Sequence, residues 1–197
     1  MSVTLNYKTI GEGQPVMIIH GLFGSLDNWQ TMARRIANEG FQVITVDLRN
    51  HGKSPHTTEM SIPLMAEDLK TLVQDQQLNN LVLLGHSMGG KAAMRFALDY
   101  PDLLEKLVVV DIAPKPYTPH HNTYFEALTN LNLSSIASRG EARDALQTSV
   151  KNKGVLQFLL KNLNRNGDGG YTWKFNLPVL YENYNKLLSG IQSETPF

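Results

Sequence analysis

Apolar positions along the chain fall into two rhythms. VTLNYKTI, Val3 to Ile10, alternates apolar and polar and predicts an edge strand. Four continuous apolar runs follow: PVMIIH (Pro15 to His20), FQVITV (Phe41 to Val46), LVLLG (Leu81 to Gly85) and KLVVVD, ending at Asp111. Such runs predict strands covered on both faces. Between them the spacing becomes helical. Asp27 is placed to start a helix with Gln30 three residues on; Trp29, Met32, Ala33, Ile36 and Ala37 share a face, and Gly40 ends it. A second helix from about Ile62 to Gln77 carries Ile62, Met65, Ala66, Leu69, Leu72 and Val73 on one face, and a third spans Lys91 to Asp99. Strands alternating with helices predict an α/β fold: a mostly parallel sheet with helices on both faces. In such sheets ligands bind at the carboxyl ends of the strands. His20, Asp47, Ser87 and Asp111 stand at or just beyond four of those ends.

The rhythm breaks after Pro114. A loop, KPYTPHHN, leads into short helical patterns at Tyr124 to Leu131, Glu141 to Val150 and Val155 to Leu163, then a turn, NRNGDGG, and an extended piece, YTWKFN. The division expected is a core over 1–115, a helical insertion packed over the sheet at 116–189, and the start of a return to the core at 190–197.

Composition narrows the function. With 18 basic and 18 acidic residues the formal charge is zero, so no basic stripe is available for nucleic acid. There is no cysteine, which removes disulfides, thiolate metal sites and a Cys nucleophile. MSVTLNYKTIGEG does not read as a signal peptide and no apolar run is long enough to span a membrane, so a cytoplasmic protein is expected.

The chemistry concentrates in Gly85-His86-Ser87-Met88-Gly89, a G-x-S-x-G pattern between a buried strand and a helix. On that turn a serine is held in a strained conformation that exposes its hydroxyl. Side chains two residues before and after would clash, which explains Gly85 and Gly89. The helix N-terminus adds free N–H groups and a positive dipole end for a forming anion. The second feature is IIHGLFGSLDNW, where the backbone N–H of Leu22, or as second choice Phe23, can join that of Met88 in holding an oxyanion.

These motifs resemble the α/β-hydrolase superfamily, and within it the YbfF-type bacterial esterases. HGLFGSLDNW, VDLRNHGKS, GHSMGGKAAM, VVVDIAP, VLQFLLKNL and FNLPVL carry the resemblance, which covers essentially the whole chain. It implies a serine hydrolase that cleaves carboxylic esters through an acyl-enzyme on Ser87. Leu22 and Met88 would hold the oxyanion, Asp111 would be the acid, and a helical cap would cover the site. No metal or organic cofactor is implied. The partner is a small acyl-ester substrate. Acyl-thioester hydrolysis or acyl transfer by the same site, and a non-catalytic hydrolase-fold binding module, are the alternatives. Tyr124, Phe125, Phe158, Leu159, Trp173 and Phe175 are expected to line an acyl pocket.

The base is the open position. The superfamily order is Ser, acid, then a His near the C-terminus. His20 is expected to hold its own loop, and His86 to point away from its neighbour Ser87. His51 and His56 are expected at the surface, and Asp68 on a solvated helix face. Asp47 reads as a turn residue. His120 and His121 follow Asp111 but lie at the entry to the insertion. The resemblance stops at SETPF, so the expectation is an N-terminal part of a longer esterase, with the catalytic His and two further strands in a C-terminal segment that could complement it.

Overall fold

The structure is a computed structural model that describes residues 1–167 and 169–193. Asp168 in the expected NRNGDGG turn, and residues 194–197 of the expected return to the core, lie outside the described residues. Strands β1 (Tyr7–Ile10), β2 (Gln14–Ile19), β3 (Phe41–Val46), β4 (Leu81–His86) and β5 (Leu104–Val110) form one sheet in the order β1-β3-β2-β4-β5. β1 runs antiparallel to β3, and the other pairs are parallel. The alternation that starts at Val3 becomes a strand only at Tyr7. The Val3 amide donates instead to the Asp68 carboxylate (2.8 Å) and the Asn6 amide to the Ser54 hydroxyl (2.8 Å).

Helices α1 (Gln30–Ala37), α2 (Ile62–Asp75) and α3 (Met88–Asp99) cover both faces. Successive residues of a strand point to opposite sides, so Val16 and Ile18 of β2 meet Ala33 and Ile36 of α1. Met17 and Ile19 join Leu69, Ala93 and Phe96 on the other side. α1 starts later than its sequence suggests. A 3-10 turn, Leu26–Trp29, precedes it, with the Ser25 amide donating to Asn28 Oδ1 at 2.8 Å. Asp27 does not act as the cap; it pairs with Lys8 at 3.1 Å. Met32, expected inside, is 44% exposed.

Two further expectations are corrected. β5 is not covered on both faces: Val108 and Val109 are 40% and 36% exposed, because β5 is an edge strand of the described sheet. Asp68 is not solvated. It is fully buried and accepts from Arg49 Nε at 2.6 Å and Nη2 at 2.7 Å. Burial pushes this carboxyl up, opposed by the Arg49 and Val3 hydrogen bonds.

After β5 the chain forms α4 (Asn122–Asn130), α5 (Arg139–Leu146) and α6 (Lys153–Lys161), a hairpin of β6 (Leu163–Arg165) and β7 (Tyr171–Trp173), then α7 (Leu177–Glu182) and α8 (Tyr184–Leu187). This segment packs on the loops at the carboxyl ends of β2 and β3. Asn162 Nδ2 donates to the Phe23 carbonyl at 2.7 Å, and the Asn176 amide to the Asn50 carbonyl at 2.9 Å. Phe125, with no exposure, sets its ring 4.8 Å from that of Phe23. Among the described residues no helix is long and apolar enough to cross a membrane.

Candidate active site

β4 runs almost directly into α3, and Ser87 is the one residue between them. It adopts φ 52° and ψ −119°, a region that costs a residue with a side chain about 1–3 kcal/mol. Its amide donates to the Val110 carbonyl at 3.0 Å, which ties the turn to the end of β5. The flanking glycines are sterically required. A Cβ on Gly85 would stand 2.4 Å from the Gly89 carbonyl oxygen, and one on Gly89 would stand 2.4 Å from that of His20.

The loop after β2 lies against this turn, and His20 orders it. The buried ring accepts the Leu48 amide on Nε2 at 3.1 Å, so its proton belongs on Nδ1, which faces the Gly21 carbonyl at 2.8 Å. Burial holds the His20 pKa below its ordinary value, which keeps this tautomer neutral. Phe23 takes φ 59°. The amides of Leu22 and Met88 make no hydrogen bond to a protein acceptor among the described residues. Asp111, one residue past β5, takes φ 56°, and its side chain is 87% exposed.

A cavity of about 950 Å³ joins these pieces. Its walls include Ser87, Leu22, Met88, Asp111, Phe158 and His86. Such a volume suits a small organic substrate. The structure therefore brings together the serine, the carboxylate and two of the three amide positions named from sequence. Phe23 does not line the cavity. Its ring turns into the core between Phe125 and Phe175.

Of the six residues expected to line an acyl pocket, only Phe158 lines this one. Phe125, Leu159 and Phe175 are buried in the core that joins the helical segment to the sheet. Tyr124 lies beside the His121 ring at 5.7 Å, and Trp173 stacks on Phe175 at 5.4 Å and borders a separate groove. Large apolar side chains were needed to dock the segment, and most of them are spent there.

No histidine hydrogen-bonds to Ser87 among the described residues. Both ring nitrogens of His20 are engaged within its loop. His51 is buried rather than at the surface, 4.9 Å from the His20 ring, with Nδ1 on the Arg49 carbonyl at 3.0 Å. His56 is exposed, as expected. His86 lines the cavity with Ser87 but makes no hydrogen bond to it among the described residues. Its Nε2 lies 4.0 Å from Asp111 Oδ2. His120 and His121 also line the cavity, but His121 Nδ1 pairs with the Tyr184 hydroxyl at 2.8 Å. Burial and the neighbouring His120 bring the His121 pKa down to about 4. Asp47 does hold the turns: it accepts from the Leu26 amide (2.8 Å), the Lys53 amide (2.9 Å) and Asn6 Nδ2 (2.7 Å). Trp29, Arg35, Tyr117 and Lys91 also reach the cavity. Sequence pattern gave no sign of the first three. Lys91 left one clue, a cation in the first turn of a helix, where the dipole disfavours it.

A serine on a strained strand-to-helix turn, at the carboxyl edge of a parallel sheet, defines the class. The sequence profile of the alpha/beta hydrolase fold matches residues 14–173, and the chain belongs to that family. It is 40% identical over 192 residues to the sn-1-specific diacylglycerol lipase ABHD11 of Xenopus laevis, covering 94% of this chain and 61% of that protein. It is 41% identical over 171 residues to the esterase YbfF of Escherichia coli, covering 86% of this chain and 65% of that protein. Among solved structures, a marine microorganism esterase superposes with a TM-score of 0.94 at 40% identity, over 98% of this chain and 76% of that one. The chain thus spans less than two thirds of the length of these two curated relatives.

Proposed function

We propose that the protein is a serine ester hydrolase and that this chain carries its nucleophile, its acid and its oxyanion donors. One observation carries the reading: Ser87, strained at φ 52°, opens into a cavity of about 950 Å³ beside Leu22, Met88 and Asp111. Relatives of matching sequence are named esterase and diacylglycerol lipase, which supports ester substrates. In this reading Ser87 Oγ attacks the ester carbonyl. The amides of Leu22 and Met88 receive the negative charge that moves onto the carbonyl oxygen, so they act on the transition state more than on the ground state. The alcohol leaves with a proton, and water then releases the acid from the acyl-serine.

The reaction needs a base for the Ser87 proton. Among the described residues no histidine hydrogen-bonds to Ser87, and the family order places the base after the acid, so in this reading Asp111 orients that base. The helical segment over 116–189 serves as the cap. Fluorophosphonate labelling followed by peptide mass spectrometry tests the nucleophile. In the full-length protein the adduct is expected on Ser87 and on no other serine. In the full-length protein, Ser87→Ala should lower p-nitrophenyl ester turnover by several orders of magnitude, on the order of 10⁶. An adduct elsewhere, or unchanged turnover, overturns the reading.

A further inference from the structure

Lys91 lies in the first turn of α3, four residues after Ser87, and is 1% exposed. Burial and the helix dipole both oppose an ammonium there, so the position is tenable only with strong partners. It has three. Nζ donates to the carbonyls of Lys115 (3.2 Å), Leu188 (3.0 Å) and Ser189. The face of the Tyr117 ring stands 5.2 Å away. All three ammonium protons are used, and every acceptor is a backbone carbonyl.

Those carbonyls belong to the two stretches through which the helical segment leaves the core and returns to it. The stretches also hold each other. The Tyr117 amide donates to the Leu188 carbonyl at 2.9 Å and the Ile191 amide to the Pro114 carbonyl at 2.7 Å. The Ala113 amide donates to the Tyr117 hydroxyl at 3.0 Å. At its other end Lys91 belongs to the nucleophile turn, since its own amide donates to the Ser87 carbonyl at 3.2 Å. One side chain therefore spans from the turn that presents Ser87 to both halves of this neck. Tyr117, Leu187 and Leu188, beside the neck, form part of the cavity wall.

We propose that Lys91 is a positioning residue: its ammonium pins the two-stranded neck of the helical segment to the first turn of α3 and so sets the distance between the cavity wall and Ser87. A lysine that merely fills space would be replaced well by methionine, which has similar length and no donors. A pin would not. Only the consequence for turnover rests on the hydrolase reading; the pinning itself does not.

The test is hydrogen exchange on the full chain and its Lys91→Met variant, read by mass spectrometry. Loss of the pin should speed exchange at the Tyr117 and Ile191 amides by about tenfold or more while the β4 amides, Val82 to Gly85, keep their rates. Unchanged neck amides overturn the proposal. So does an equal rise in β4, because the effect is then on global stability. If the variant does not fold, wild-type protein is treated with an amine-acylating reagent. Lys91 should then react only as fast as the neck opens, at the rate set by exchange of Tyr117 and Ile191. Reaction at the rate of Lys115, or only at the rate of β4 opening, overturns it. In the full-length protein the variant should also lose preference among acyl-chain lengths. A selective neck effect with no ester cleaved by either protein supports the pin and removes the hydrolase reading instead.

Discussion

Replacing Asp68 with alanine should strand a buried guanidinium. Arg49 and Asp68 are 1% and 0% exposed, and the pair is bidentate at 2.6 and 2.7 Å. Asp68 Oδ1 also takes the Val3 amide at 2.8 Å. After the change the Arg49 guanidinium keeps one acceptor among the described residues, the Met1 carbonyl at 3.1 Å. Breaking a buried pair from one side costs about 3–5 kcal/mol, because the remaining charge has lost its compensation and cannot reach water. For a domain of this size about 1 kcal/mol moves Tm by about 2–4 °C, so the loss is roughly 6–20 °C. Urea denaturation followed by tryptophan fluorescence, with thermal melts, measures it. The double variant Arg49→Met, Asp68→Leu removes the charge as well as its partner, and should recover most of the loss. A cost of about 1 kcal/mol or less for the single variant, the size of a surface pair, would refute the reasoning. A double variant as unstable as the single one would show that packing, not stranded charge, is at issue.

Acid should weaken the fold through its buried histidines. Burial lowers the pKa values of His20, His51 and His121 from 6.5, to about 4 for His121. The unfolded chain then binds more protons, so this stability is complete above about pH 6.5 and falls as pH drops toward 4; urea midpoints that do not change across that window would contradict it, and His121→Gln should flatten part of the slope. Gly89→Ala drives a Cβ to within 2.4 Å of the His20 carbonyl oxygen and should cost at least about 1–3 kcal/mol in denaturation, whereas Gly140→Ala, whose Cβ meets nothing nearer than 3.5 Å, should cost nothing. Phe158→Ala should shift acyl-chain preference in ester hydrolysis and Trp173→Ala should not, since only Phe158 lines the cavity at Ser87. Equal shifts in both would mean the wall is drawn wrongly.

Much of this molecule is legible in one dimension. Strand and helix periods are local properties of the chain, so the sheet strands and the helices between them follow from spacing. The elbow is legible from its motif, but only half of its steric reason is local: a side chain at Gly85 meets the backbone of Gly89, four residues on, whereas one at Gly89 meets the His20 carbonyl at the end of β2. Asp111 could be placed because a strand end is where its apolar run stops. Errors cluster where the deciding neighbour is distant. Asp68 looked solvated because its partner Arg49 lies 19 residues away on a loop, and nothing near Lys91 in sequence names its acceptors, which lie 24, 97 and 98 residues on. His51 looked exposed for the same reason, since the helical segment folds back over its loop, with the Asn176 amide on the neighbouring Asn50 carbonyl. The aromatic residues after Tyr117 show the limit most plainly. Composition called for their burial, but a ring that docks a segment and a ring that lines a cavity have the same hydrophobicity. Phe125 and Phe158 differ only in which way the packed helices turn them, and that is decided by contacts among α4, α6 and the Phe23 loop, which exist only once the chain has folded.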